Sequence, residues 1–137
     1  MARISWASVG ITPWHKREIM AYCRRYDDWR KELQYGLRAI SVEGGSHSNK
    51  ISRPTEQQAV RNAQLRDQIL LIEQAIRDTC PDIYDEMLDN IARGVPYIYL
   101  QIPYSESDFY SMRIKVYALI ASRREKLTTF EGKTGIF

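Results

Sequence analysis

The sequence predicts an all-α protein in which a long N-terminal helical hairpin precedes a C-terminal helix-turn-helix. Apolar residues recur every three or four positions in several long segments, which is the period of an α-helix. Proline, serine or threonine stands before these segments and glycine or proline after them, as at helix ends. With 137 residues, 44% of them hydrophobic, the chain is long enough for one domain or two small ones.

The helical hairpin is predicted over residues 1–80, as a dimerisation or interaction unit. Residues 1–12 lack a helical period and are expected to be an extended lead-in. Thr12 and Pro13 supply an N-cap and a first helical position, so a first long helix is predicted over 14–40. Its apolar stripe is more typical of a packed core than of base stacking. The stripe consists of Ile19, Tyr22, Tyr26, Trp29, Leu33, Leu37 and Ile40.

A polar connector and a second long helix complete the hairpin. Segment 41–52 contains a Gly-Gly pair without the spacing of a phosphate-binding loop, and His47 has no partner at metal-ligand spacing. The second helix is predicted over 54–79 because Pro81 follows it. It packs either against the first helix or against a second copy of the chain, which would make a homo-oligomer. Its apolar residues are Leu65, Ile69, Ile72 and Ile76, widened by Val60, Ala63, Leu70, Leu71 and Ala75.

Signals for shorter helices and tight turns follow the hairpin. A helical stripe made of Ile83, Met87, Leu88 and Ile91 ends at Gly94, which is expected to be a C-cap. A second short helix is predicted over 97–101, after which Pro103 imposes a turn. Ser105 then has the position of an N-cap for the last long helix. This order of helices and turns is that of a helix-turn-helix, predicted over 81–126, and 127–137 is expected to be a flexible tail.

The last long helix has an apolar stripe on one face and small or flat side chains on the other. The stripe is expected to be buried and consists of Phe109, Met112, Val116, Leu119 and Ile120. The opposite face is expected to be open to solvent and to contact DNA, with basic residues at its flanks and end. The DNA-binding residues that this pattern predicts are Ser107, Tyr110, Ser111, Arg113, Ile114, Lys115, Arg123 and Arg124. An amphipathic helix that only packs on the core is the alternative interpretation.

Charge is distributed unevenly, although the net charge is only +3. Residues 1–40 carry eight Lys or Arg against four Asp or Glu, residues 41–92 five against nine, and residues 93–137 seven against four. A polyanion partner for the basic C-terminal segment is consistent with this pattern. Arginines away from the first helical stripe, including Arg24 and Arg25, are either solvated or bind phosphate in a secondary way.

Several classes of protein are disfavoured by the same sequence. No apolar run approaches the length of a membrane span, and the N-terminus lacks the apolar segment of a signal peptide, so a cytoplasmic location is expected. Cys23 and Cys80 form neither a disulfide framework nor a CxxC motif. No catalytic constellation, metal motif or cofactor motif is present, and an enzyme is not expected. The carboxylates Asp85, Glu86 and Asp89 are interpreted as the polar side of a helix.

Three stretches resemble a known group of proteins. They are GGSHSNKISRPTEQQA, IARGVPYIYLQIPYSESDFY and RIKVYALIASRR, which together cover about residues 43–124. Their order resembles that of phage-encoded late-transcription regulators of the RinA and ArpU kind, whose C-terminal part looks like the helix-turn-helix of sigma factors. The resemblance implies a phage protein that activates packaging or structural genes in the bacterial host cell. It also implies that Tyr104 and Ser105, with Ser107, Tyr110 and Arg113, face or flank DNA at the start of the recognition helix. In the segment SMRIKVY, which follows the aromatic pair Phe109 and Tyr110, only Arg113 and Lys115 are basic, whereas the relatives carry a denser run of basic residues there.

Two functions follow from these observations. The first is a sequence-specific DNA-binding transcription regulator that binds double-stranded DNA, with RNA polymerase as a candidate second partner. The alternative is a helical adaptor that binds RNA polymerase, a packaging enzyme or a repressor through its acidic middle and its hairpin. The first function requires that the face containing Ser107, Tyr110 and Ile114 be open to solvent.

Overall fold

The computed structural model of the protein describes residues 4–45 and 53–135, and the side chains of residues 4–38 and 55–127. Within these residues there are helices and turns but no strand, so the predicted all-α class is confirmed. The helices are α1 (Pro13–Cys23), α2 (Tyr26–Gly45), α3 (Arg53–Thr79), α4 (Tyr84–Arg93) and α5 (Glu106–Gly135). Short 3₁₀ turns occupy Ala7–Val9, Pro81–Ile83 and Tyr97–Tyr99.

Helix α3 lies at the centre of the arrangement. It packs along α2 and against α5, while the shorter α1 and α4 contact α5 and α3 respectively. Arg61 pairs with Glu32 at 2.6 Å, and Tyr26 donates a hydrogen bond to Glu73, so α2 and α3 run antiparallel. The hairpin therefore forms within the chain, which was one of the two arrangements that the sequence left open.

The predicted single helix over residues 14–40 is wrong, because the chain breaks at Arg24 and Arg25 between α1 and α2. The Arg25 amide donates to Tyr22 O at 3.2 Å, and helical bonding resumes in α2. In an unbroken helix, residues seven positions apart are separated by about 10 Å along the axis. At the break the buried rings of Tyr22 and Trp29 meet edge to face with their centroids 4.8 Å apart. Aromatic packing thus accompanies a break that no glycine or proline marks.

Helix α1 begins where the sequence predicts, but the segment before it differs from the prediction. Thr12 Oγ1 accepts from the His15 amide at 3.1 Å and Pro13 is the first helical residue, as predicted. The expected extended lead-in instead contains the 3₁₀ turn Ala7–Val9, which ends at Gly10 with a φ of 76°. Glycine adopts this left-handed conformation without the steric cost that a side chain would impose.

Two predicted irregular segments are partly helical. Helix α2 continues to Gly45, so the first part of the predicted connector 41–52 is helical, while the rest of the connector, with His47, lies outside the described residues. Helix α5 continues to Gly135, so the predicted flexible tail over 127–137 is wrong as far as that residue. Adding one residue to an existing helix is much easier than nucleating one, which explains why weak helix formers continue α5.

One contiguous core contains buried residues from both sides of residue 80, which is the predicted boundary between the helical hairpin and the helix-turn-helix. The predicted stripes are buried at Leu65, Ile72 and Ile76 in α3, and at Phe109, Met112, Val116 and Ile120 in α5. Val60 and Leu70 are 60% and 53% exposed, so the wide apolar face predicted for α3 is wrong at these positions. Within the described ranges, no helix combines the length and hydrophobicity needed to cross a bilayer.

Candidate nucleic-acid interface

The segment between α4 and α5 forms only part of the predicted helix-turn-helix. Gly94 caps α4 in the left-handed region with a φ of 73°, and its amide donates to Asn90 O at 3.0 Å, which confirms the predicted C-cap. The Asn90 side chain donates to Val95 O at 2.9 Å and holds the following loop. The second short helix predicted over 97–101 is instead the three-residue 3₁₀ turn Tyr97–Tyr99. Only this 3₁₀ turn, and not the predicted second short helix, therefore lies between α4 and the turn at Pro103.

The beginning of α5 is capped as its sequence predicts. Ser105 is exposed and its hydroxyl accepts from the Asp108 amide at 3.2 Å, which satisfies one free helical donor. Tyr104 is half-buried: its hydroxyl donates to Asp82, and its carbonyl accepts from Tyr97 Oη at 2.5 Å. The hydrogen bond to Asp82 raises the pKa of Tyr104. Tyr104 is therefore held by other parts of the protein rather than projecting freely.

Part of the predicted DNA-reading face is covered by the N-terminal segment. Ser111 and Ile114 are only 5% and 8% exposed, so the prediction that they face solvent and reach base edges is wrong. The Ile4 amide donates to Ser111 Oγ at 3.3 Å, and the ring of Trp6 lies 5.4 Å from that of Tyr117. Because this cover comes from more than a hundred positions away, the local sequence pattern could not reveal it.

The remaining residues at the start of that face are partly accessible. Ser107 and Tyr110 are half-buried. The ring of Tyr110 packs edge to face on Phe109 with a centroid distance of 5.5 Å, and the guanidinium of Arg113 lies 5.3 Å from the Tyr110 centroid. The face is therefore a packed aromatic surface with a cation above it, and not a row of free side chains.

Four arginines, here called the arginine cluster, are distributed along the junction of α1, α2 and α5. They are Arg24, Arg25, Arg113 and Arg124. The guanidinium carbon of Arg124 lies 4.1 Å from the ring centroid of Tyr22, and those of Arg25 and Arg113 lie 5.6 Å and 5.3 Å from the centroids of Trp29 and Tyr117. A guanidinium stacked on a ring keeps the N–H groups at its edge available for an anion.

The electrostatic influence of the cluster is visible at the buried groups beneath it. Burial raises the pKa of the Cys23 thiol to about 12, and the guanidiniums of Arg124 and Arg113 act against that rise. Burial also raises the pKa of Tyr117, against which Arg113 and Arg24 act. Since a charge shifts a pKa appreciably only at close range, Arg113 lies near both buried groups, Arg124 near Cys23 and Arg24 near Tyr117.

Carboxylates neutralise the cluster only in part. Arg124 pairs with Glu18, and Asp67 lines a groove of about 300 Å³ together with Arg25 and Arg124. Among the described residues, neither Arg24, Arg25 nor Arg113 forms an ion pair, and Arg113 Nε is buried without a hydrogen-bond partner. The cluster therefore keeps a positive charge suited to phosphate.

The other two predicted cations lie elsewhere. Arg123 pairs with Asp78 of α3 at 2.6 Å. Lys115 is exposed, but two positions along a helix separate it from Arg113, so the two side chains leave α5 in nearly opposite directions. The predicted site residues are thus not one surface. Arg113 and Arg124 lie along the same junction as Arg24 and Arg25, for which the sequence pattern indicated only a secondary role. No local sequence signal identifies Arg24 and Arg25, because neither glycine nor proline marks the helix break at which they lie.

Residues 81–108, here called the acidic surface, have the opposite charge. This stretch contains six carboxylates and one arginine, a net charge of −5. It includes Glu106 and Asp108 in the first turn of α5, where a recognition helix would approach DNA. Because carboxylates repel phosphate, the start of α5 is unsuited to holding a DNA backbone.

Comparison with protein-family models, curated proteins and solved structures finds no match for this chain. In the described part of the chain, no three His, Cys, Asp or Glu side chains are grouped as a metal site would require. The resemblance to the RinA and ArpU regulators therefore stays an interpretation of sequence motifs, and the arginine cluster is the structural feature from which a function can be argued.

Proposed function

We propose that the protein is a DNA-binding transcription regulator that holds the phosphate backbone with the arginine cluster. The observation that carries the proposal is a row of four arginines, three of them stacked on aromatic rings, of which Arg24, Arg25 and Arg113 lie outside any ion pair in the described residues. Phosphate contacts from arginine supply most of the affinity of such proteins. The sequence resemblance to phage late-transcription regulators supports the same function.

In this proposal the DNA backbone does not meet the acidic start of α5. Ser111 and Ile114 are buried and cannot reach a base, whereas Arg24 and Arg25 are exposed at the turn between α1 and α2. Stacked guanidiniums are already oriented, so less side-chain entropy is lost when they bind phosphate.

The test measures binding to fluorescent duplexes from upstream regions of the native genome, and to shuffled duplexes of equal composition, over a series of salt concentrations. Arg24→Gln/Arg25→Gln removes two charges from the cluster, and Lys31→Gln/Arg66→Gln removes two exposed charges elsewhere. We expect the slope of log affinity against log salt to fall by about 0.9 for each phosphate that the first variant no longer binds. The control variant should keep the wild-type slope.

Two results would overturn the proposal. One is the absence of salt-dependent binding by the wild-type protein to any duplex at low ionic strength. The other is equal slopes for the two double variants, which would show that the cluster does not meet phosphate. Tighter binding to an upstream duplex than to its shuffled counterpart supports regulation of specific genes, and equal binding to both contradicts it.

A further inference from the structure

Two neighbouring apolar side chains stand in solvent on the 3₁₀ turn between α4 and α5. Ile98 and Tyr99 are 80% and 77% exposed, and among the large apolar side chains of the described residues only Trp14, at 78%, is as exposed. Single exposed apolar residues are common, but adjacent ones beside a groove mark interaction sites more often. We call Ile98 and Tyr99 the apolar edge.

The apolar edge stands on a well-supported backbone. The Leu100 amide donates to Tyr97 O at 2.9 Å, which closes the turn. The Tyr97 hydroxyl donates to Tyr104 O at 2.5 Å, and its ring lies 5.5 Å from that of the fully buried Phe109. Because the turn is anchored on both sides, little backbone entropy is lost when a partner covers Ile98 and Tyr99.

A groove of about 380 Å³ opens beside the apolar edge. Its walls combine aromatic and aliphatic side chains with one carboxylate, and they are formed by Pro96, Tyr97, Ile98, Leu100, Glu106 and Tyr110. Such a groove admits one or two large apolar side chains, and the carboxylate at its wall favours a cation next to them.

The charge around the edge determines the kind of partner. The acidic surface, with a net charge of −5, contains both the apolar edge and Glu106. Its one basic residue, Arg93, is engaged by Asp27 at 2.9 Å and by Asp89 at 2.6 Å. Arg113 lies over Tyr110 at one wall of the groove, so the attraction for lysines and arginines is centred on Glu106 at its wall.

We propose that the apolar edge and its groove bind a segment of another protein in which large apolar side chains lie between lysines or arginines. The apolar side chains cover Ile98 and Tyr99 and enter the groove, and the flanking cations face Glu106 and the neighbouring carboxylates. This surface adjoins the arginine cluster, because Tyr110 lines the groove and the guanidinium of Arg113 lies over its ring. It gives a location to the adaptor role that the sequence left as the alternative.

The experiment uses three labelled peptides of equal length and the full chain. The first has a Leu-Phe pair between lysines, the second has glutamates in place of the lysines, and the third has serines in place of Leu-Phe. Ile98→Gln/Tyr99→Gln changes the apolar edge, and Val60→Gln/Leu70→Gln changes two exposed apolar residues of α3 as a matched control. Fluorescence anisotropy measures the affinities, and circular dichroism confirms that each variant is folded.

We expect the first peptide to bind the wild-type protein about tenfold or more tightly than the serine peptide, since burial of one large apolar side chain has an effect of that size. It should also bind more tightly than the glutamate peptide, because Glu106 repels like charge. The Ile98→Gln/Tyr99→Gln variant should lose that preference, while Val60→Gln/Leu70→Gln keeps it. Both variants should bind DNA as the wild type does, so a failure here is distinguishable from a failure of the proposed DNA binding.

Three outcomes would overturn the inference. Equal affinity for the three peptides would show that neither apolar nor cationic groups are recognised. An equal loss in both variants would show that the apolar edge has no special role. Self-association of the wild-type protein in sedimentation experiments, lost on Ile98→Gln/Tyr99→Gln, would assign the edge to a second copy of the chain.

Discussion

The arginine cluster and the acidic surface both border α5, but they are built in different ways. The acidic surface comes from one continuous stretch, residues 81–108, and its net charge of −5 can be counted along the chain. The arginine cluster joins Arg24 and Arg25 to residues about ninety to a hundred positions later, and three of its guanidiniums lie on aromatic rings. One surface is thus a property of local sequence, and the other exists only because α1 folds against α5.

This difference has a functional consequence. The stretch 81–108 keeps its net charge of −5 even when the chain is unfolded. The arginine cluster, in contrast, is lost when α1 and α5 separate. Both surfaces nevertheless rest on one core, which contains Cys23, Tyr117 and Phe109 together. Three changes test how far the two surfaces depend on that core and on each other.

Phe109→Ala should have the largest effect. Phe109 is fully buried, and its ring lies 5.5 Å from those of both Tyr97 and Tyr110. Removing a buried phenylalanine typically costs about 3–5 kcal/mol of unfolding free energy. Because the core is shared, we expect far-UV circular dichroism and tryptophan fluorescence to report one common urea transition at lower midpoint. Val60→Ala, at an exposed site, should change the midpoint little.

Two separate transitions in that experiment would contradict the shared core. They would show instead that residues 1–80 and 81–126 unfold as independent units, as the division predicted from the sequence implies. In that case Phe109→Ala would shift only one of the two transitions.

Gly94→Ala should have an intermediate effect and act on both surfaces. Gly94 has a φ of +73°, and a methyl group built there would lie 2.2 Å from a guanidinium nitrogen of Arg24. We expect a loss of about 1–2 kcal/mol of unfolding free energy from the left-handed conformation, together with displacement of Arg24. Thermal unfolding measures the first effect, and DNA affinity the second.

Gly10→Ala provides the matched control. Gly10 has nearly the same φ, +76°, but nothing lies within 4 Å of an added methyl group. It should lose similar stability and keep the DNA affinity of the wild type. If the two alanine variants bind DNA equally well, Arg24 does not belong to the binding surface.

Asp27→Asn should have the smallest effect, on the ion pair between α2 and α4. A hydrogen bond from Arg93, with their mutual attraction, lowers the pKa of Asp27 below its ordinary value of 3.8. A carboxyl whose pKa is lowered by folding stabilises the folded state at pH values above its unfolded-state pKa. This stabilisation is lost as the pH falls through the folded-state pKa. The pair is exposed, so we expect about 0.2–1 kcal/mol near neutral pH.

Urea unfolding at a series of pH values measures this difference. Wild type and Asp27→Asn should begin to converge in stability as the pH falls below about 4, the unfolded-state pKa, and meet once it is below the lowered folded-state pKa of Asp27. Asp28→Asn, an exposed neighbour in the same first turn, should show a smaller difference at neutral pH. A difference between wild type and Asp27→Asn that persists at low pH would show that the effect is not electrostatic.

Most of the fold was predictable because its signals are local. The helical periods predicted α3, α4 and the buried stripe of α5, and the caps at Thr12, Gly94 and Ser105 lie where the sequence placed them. The break at Arg24 and Arg25 was not predictable, because it depends on how Tyr22 and Trp29 pack in the folded chain. The candidate site was predicted only in part, since Arg113 and Arg124 belong to it while Ser111 and Ile114 are buried.

The sequence by itself determined the all-α class, the ends of several helices and the acidic character of residues 81–108, because periodicity, capping and local charge involve residues only a few positions apart. Only the tertiary structure decided which side of α5 meets solvent and which arginines come together. Burial and charge clustering depend on contacts between distant segments, such as Ile4 with Ser111 and Glu18 with Arg124.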